Sequence, residues 1–169
     1  MKKVVYSSLP TEQSNPRTRT IDRLPIEEIL ELINEEDRKV PAAVLKEKKQ
    51  IVQGVEIIVK AIRNGGRVFF AGAGTSGRLG VIEAAECPPT FNTPPSLVQA
   101  VMAGGKKAVF RSQEGAEDRD DEGFRLFDKK LKPGDVLIGI AASGVTPFVR
   151  GALSFARIKS VRAPHVDPR

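Results

Sequence analysis

The chain has little from which to build a metal centre or a disulfide: one cysteine, Cys87, and one histidine, His165, among 169 residues. A lone thiol forms no internal bridge and a lone imidazole has no partners at metal-ligand spacing, so a disulfide scaffold and a metal enzyme are both disfavoured. Tryptophan is absent, tyrosine occurs once, and the phenylalanines fall mainly inside apolar runs. Nucleic-acid binding would want aromatics interleaved with a basic stripe, so no nucleic-acid partner is expected. No apolar run approaches the roughly 20 residues of a membrane helix, and Met1-Lys2-Lys3 leads into no apolar signal core. The expected compartment is the cytoplasm, with no membrane partner.

What is present suits a folded α/β chain. With 40% hydrophobic and 28% charged residues, a chain of this length can bury about two thirds of its surface. The net charge of +6 is spread along the sequence, so it suits an anionic partner without identifying one. Residues 1–19, polar and holding Pro10 and Pro16, read as an extended arm. Ile26, Ile29, Leu30 and Ile33 recur at helical spacing, and a longer pattern follows Pro41, with Val44, Ile51, Val55, Ile58, Val59 and Ile62 on one face. Asn64-Gly65-Gly66 stops that second helix.

Three apolar runs then read as buried strands: residues 68–71, 96–102 and 136–140. The first meets the glycine loop 72–77 and a helix that Pro88-Pro89 is expected to end; the second meets a turn at Gly104-Gly105. Residues 117–131 form a charged helix turning Phe124 and Phe127 inward, and a helix from Pro147 to about Arg157 follows the third strand. Strands alternating with helices imply a parallel sheet covered on both faces. Residues 68–77 and 137–146 echo each other as strand, small-residue loop and helix, and both loops lie at the carboxyl ends of strands, where ligands bind.

Gly72-Ala73-Gly74-Thr75-Ser76-Gly77 lets backbone N–H groups approach an anion, with hydroxyls from Thr75 and Ser76 and the positive end of the following helix. Its spacing also satisfies the dinucleotide fingerprint. However, the second strand ends in Ala103-Gly104-Gly105 with no carboxylate for a ribose, and Arg78 stands where a P-loop needs its lysine. A plain tight turn would use the same glycines. Ser143-Gly144-Val145-Thr146-Pro147 favours a ligand: Ser143 adds a hydroxyl, Thr146 suits a helix N-cap and Pro147 the first helical position. Two such loops suit a compact phosphate. Glu86, expected at the end of the first loop's helix, and Glu117, after the second strand, are carboxylates suited to proton transfer, while an exposed glutamate at a helix end reads the same locally.

Ile21-Asp22-Arg23-Leu24, the glycine loop with Arg78-Leu79-Gly80, Ala85-Glu86-Cys87-Pro88-Pro89-Thr90-Phe91, Glu114-Gly115-Ala116-Glu117-Asp118 and Gly139-Ile140-Ala141-Ala142-Ser143-Gly144 together resemble the N-acetylmuramic acid 6-phosphate etherase family and its relative, the glucokinase regulatory protein. The resemblance implies a sugar isomerase (SIS) type, flavodoxin-like three-layer parallel sheet preceded by helices. It implies cleavage of the D-lactyl ether of N-acetylmuramic acid 6-phosphate, giving N-acetylglucosamine 6-phosphate and D-lactate in cell-wall recycling. It further implies no cofactor and no metal, a homodimer that completes the sites, catalysis by Glu86 and Glu117, and phosphate or sugar contacts from Gly74, Thr75, Ser76, Gly77, Ser143, Gly144 and Thr146. Val145 stands where the family usually has arginine.

The family pattern runs to about Arg157 and continues in relatives with further strands, so the sheet is expected to be incomplete. The expected organisation is an arm and helices at 1–64, the amino-terminal portion of the sugar-phosphate domain at 65–157, and an irregular, truncated tail at 158–169. A non-catalytic sugar-phosphate regulator and an inactive fragment are the alternatives.

Overall fold

Three apolar segments, β1 (Val68–Gly72), β2 (Val98–Met102) and β3 (Val136–Ile140), pair in parallel in the order β2-β1-β3. The computed structural model describes residues 6–158. In it Phe69 stands beside Gln99 on one side and Leu137 on the other, and Gly72 beside Met102 and Ile140. All three strands therefore end at one level.

Helix α4 (Gly74–Phe91) follows β1, α5 (Gly105–Phe110) follows β2, and α6 (Asp120–Asp128) precedes β3, which leads into α7 (Pro147–Ile158). Alternation of side chains along the strands sorts them between two faces. Phe70 and Ile140 face α4, where a Cβ on Gly80 would meet them at 2.7 and 3.7 Å. Phe69, Ala71 and Leu137 join Phe127 of α6 and Phe148, Ala152 and Phe155 of α7 in the buried core. The rings of Phe69 and Phe127 meet edge to face at 6.4 Å. The expected sheet with helices on both faces is the one observed.

Helices α6 and α7 approach with backbone against backbone: a Cβ on Gly123 would sit 2.1 Å from the Phe148 carbonyl, and one on Gly151 2.0 Å from the Asp120 carbonyl. At the amino end of the sheet, Asp135 is 2% exposed. Its carboxylate accepts bonds from the Arg67 N–H at 2.9 Å, from Arg67 Nη2 at 2.7 Å and from the Lys132 N–H at 2.9 Å. These bonds pin the turn before β3 to the residue before β1.

Several local expectations need correction. The segment expected as an extended arm forms single 3₁₀ turns at Tyr6–Ser8, Pro10–Glu12 and Pro16–Thr18. Proline at the first position presets the φ such a turn needs, and Asn15 caps the third by accepting from the Arg17 N–H at 3.0 Å. The single helix expected after Pro41 is two, α2 (Lys39–Lys46) and α3 (Lys48–Arg63), separated at Glu47. Residues 1–5 of the arm and 159–169 of the tail lie outside the described residues.

The chain divides into two compact units, Met1–Val52 and Gln53–Arg169. In the first, α1 (Ile26–Asp37) and α2 bury none of their residues, and Arg17 bridges Glu35 and Glu36 of α1. In the second, the α3 residues Val55, Val59 and Ile62 are exposed, and Val55 and Val59 border a groove of about 450 Å³ lined also by Lys60 and Arg63. The apolar stripe read from the sequence is therefore present but turned outward. Among the described residues no helix is long and apolar enough to cross a membrane.

Candidate functional site

Gly72 and Gly77 set the geometry of the first loop. A Cβ on Gly72 would sit 2.7 Å from the Gly77 nitrogen, and a Cβ on Gly77 would sit 2.8 Å from the Gly72 oxygen. Neither position admits a side chain without moving main chain. Gly74 holds φ +54° with open space around it, a conformation natural to glycine. Helix α4 thus starts almost at the strand end, with Ala73 as an N-cap that offers no side-chain bond.

The first bond of α4 runs from the Gly77 N–H to the Ala73 carbonyl at 3.0 Å. The N–H groups of Gly74, Thr75 and Ser76 therefore have no intrahelical acceptor, and no side chain caps them. Gly74 and Thr75 are exposed and Ser76 half-buried. Three donors without intrahelical acceptors at the positive end of an 18-residue helix are chemically suited to a compact anion.

The second loop is neighbour to the first because Gly72 and Ile140 are in register. Gly144 takes φ +70°, and the Ser143 hydroxyl accepts from the Val145 N–H at 3.3 Å, which leaves its own O–H to donate. Thr146 occupies the N-cap position, its carbonyl accepting from the Arg150 N–H at 3.0 Å. Helix α7 differs from α4 in one respect: Pro147 has no N–H, and the Phe148 N–H is spent on the Glu117 carbonyl at 2.9 Å. Of the two helix starts, that of α4 is the open one.

That same bond places Glu117. The helix expected over 117–131 begins only at Asp120, so Glu117 belongs to a turn, with its side chain exposed and its main chain fixed to the α7 start. Phe127 is buried as expected, but Phe124 is 38% exposed, its ring edge resting on Phe155 at 4.9 Å.

Glu86 stands elsewhere. Helix α4 does not end at Pro88-Pro89 but contains both and runs on to Phe91, where Asn92 closes it at φ 52°. Neither proline has an N–H to give, so the carbonyls of Ala84 and Ala85 lose their helical donors near the end of α4. Glu86 is consequently inside the helix, on its outer face with exposed Leu79 and Ile82. Twelve residues past Gly74 correspond to about 18 Å along the axis. The main chain of Glu117 is thus fixed beside the start of α7, while Glu86 stands well down α4.

Two features gave no functional signal in the sequence. One is α5, only six residues long and opening on glycines at φ +76° and +67°, which reads as a turn. The other is Arg78: its Nε donates to the Val109 carbonyl at 2.8 Å and its Nη2 to the Ala108 carbonyl at 2.9 Å.

This arrangement can be set beside known proteins. Curated relatives named N-acetylmuramic acid 6-phosphate etherase include those of Salinibacter ruber, 55% identical over 150 residues, and Glaesserella parasuis, 51% identical over 150 residues. The one from Gloeothece citriformis is 47% identical over 152 residues. These alignments take in 88–89% of this chain but 48–50% of the relatives, so the chain spans about half their length. Phosphoheptose isomerase GmhA from Neisseria gonorrhoeae shares the fold, with a TM-score of 0.63 over 81% of this chain and 71% of its own at 21% identity. The model of the glucokinase regulatory protein N-terminal SIS domain matches residues 50–157, a span that takes in α4, both loops and Glu117, and the chain belongs to that family.

Proposed function

We propose that the chain binds a sugar phosphate at the first turn of α4 and contributes to cleavage of the D-lactyl ether of N-acetylmuramic acid 6-phosphate. The observation that carries this reading is the uncapped α4 start, where Gly74, Thr75 and Ser76 offer free N–H groups beside Ser143 and Thr146. Gly77 contributes by its close approach to the strand end, and Gly144 by its left-handed turn. The name shared by relatives at 45–55% identity supports the substrate.

In this reading the phosphate anchors the sugar, one carboxylate removes the proton at C2, and a proton delivered to the ether oxygen at C3 releases lactate. Water then adds to the resulting double bond. Glu117 acts from the same copy as the phosphate. Glu86, about 18 Å along α4 from that phosphate, acts from a second copy, and exposed Leu79 and Ile82 beside it form the apolar contact such a homodimer needs. Residues 65–157 are then the amino-terminal portion of the sugar-phosphate domain, preceded by 1–64 and followed by the tail 158–169, and the setting is cytoplasmic peptidoglycan recycling.

A second reading is a regulator that binds the sugar phosphate without turnover, favoured by the match to the domain of a regulatory protein. Incubation with N-acetylmuramic acid 6-phosphate and assay of D-lactate separates the two. Release abolished by Glu86→Gln is the expected result; binding without release favours the regulator, and neither binding nor release sinks both.

A further inference from the structure

Arg78 lies one residue beyond Gly77, close to the proposed phosphate, yet its fork is engaged elsewhere. Nε and Nη2 donate to the carbonyls of Val109 and Ala108, among the last of α5 and so without helical N–H partners of their own. Among the described residues no carboxylate pairs with Arg78. A charged donor on two main-chain acceptors is a strong, directional tie.

The tie continues toward Glu117. Ala108 is 2% exposed, and a Cβ on Gly104 would meet the Cβ atoms of both Ala108 and Gln113 at 3.1 Å, so residue 113 closes over the start of α5. The Gln113 carbonyl accepts from the Ala116 N–H at 3.3 Å, Ala116 is buried in the core, and the Glu117 carbonyl is held by the Phe148 N–H. From Arg78 to Glu117 the path thus runs through hydrogen bonds, the close packing of Ala108 and Gln113 about Gly104, and the chain itself.

We infer that Arg78 is a positioning residue, whose fork clamps α5 to α4 and so holds the segment 111–117 that presents Glu117 to the sugar. The inference rests on Glu117 serving the proposed reaction. It also makes the guanidinium geometry, and not its charge, the essential property, because a lysine ammonium is a point charge that cannot reproduce a planar fork.

The test uses the full chain as wild type, Arg78→Gln and Arg78→Lys. Amide hydrogen exchange over 104–117 should quicken at least tenfold in Arg78→Gln and nearly as much in Arg78→Lys, while β1 and β3 keep wild-type protection. The 13C side-chain resonance of Glu117 should respond to N-acetylglucosamine 6-phosphate in the wild type and lose that response in both variants, with the Thr75 and Ser76 amides still shifting. Unchanged exchange over 104–117, a Glu117 response that survives in Arg78→Gln, or full rescue by Arg78→Lys each overturns the inference. A wild-type chain in which neither Glu117 nor the amides respond overturns the sugar-phosphate reading itself, and exchange then still reports on the clamp.

Discussion

At the scale of single residues, two positions carry opposite kinds of constraint. Gly77 has no room: a Cβ there would lie 2.7 Å from Met102 Cγ and 2.8 Å from the Gly72 oxygen. Gly77→Ala should cost about 1–3 kcal/mol, as overpacking does, and displace the first turn of α4, so urea midpoint and phosphate affinity should fall together. Asp135 is constrained by its partners. Burial pushes its carboxyl up, but the Arg67 side chain and the N–H groups of Lys132 and Arg67 outweigh that and hold it below the ordinary aspartate value. A depressed carboxyl contributes stability above its unfolded value, near about 3.9, and loses it as pH falls through the lower folded value. Asp135→Asn should therefore cost about 1–3 kcal/mol at pH 7, and urea titrations should show the gap from wild type closing as pH is lowered below about 4.

At the scale of elements, the helix pair α6 and α7 meets through Gly123 and Gly151, each packed so closely on the other helix that an added Cβ would lie 2.1 or 2.0 Å from a carbonyl oxygen. Gly151→Ala should push the helices apart and lower stability by several times what an exposed Gly→Ala change gives in the other direction, measurable by thermal melting. β1, β3 and α7 were legible because their apolar residues recur in uninterrupted runs or at helical spacing, a signal that depends only on local order. The geometry of the glycine loop was legible for the same reason: its glycines and hydroxyls are consecutive. The α4 end was not, since proline reads as a stop wherever it falls, whereas the helix closes at Asn92 in the left-handed region. Nor was α5, a six-residue helix with almost no period to detect. The clamp from Arg78 joins residues about 30 apart, and nothing local announces it.

At the scale of the whole molecule, the outward stripe is the feature that asks for a partner. Val55 is 52% and Ile82 55% exposed, and α1 and α2 bury none of their own residues. The sequence shows these faces as apolar, but what covers them is not written in local spacing. If a second copy does, each pair contains two sites that each take Glu86 from one copy and Glu117 from the other. Mixing inactive Glu86→Gln with inactive Glu117→Gln should then restore about a quarter of wild-type lactate release, since half the pairs are mixed and one site of two in each is intact. Sites contained within one copy would restore nothing. If a second copy covers this face, Leu79→Glu together with Ile82→Glu should leave a single copy in sedimentation where the wild type sediments as a pair.

If the start of α4 receives the phosphate, a 15N titration of the chain with N-acetylglucosamine 6-phosphate should register it amide by amide. Saturable shifts should be largest at the Gly74, Thr75 and Ser76 amides, with Val145 responding beside Ser143. Saturation with those three amides unmoved would contradict that placement of the phosphate.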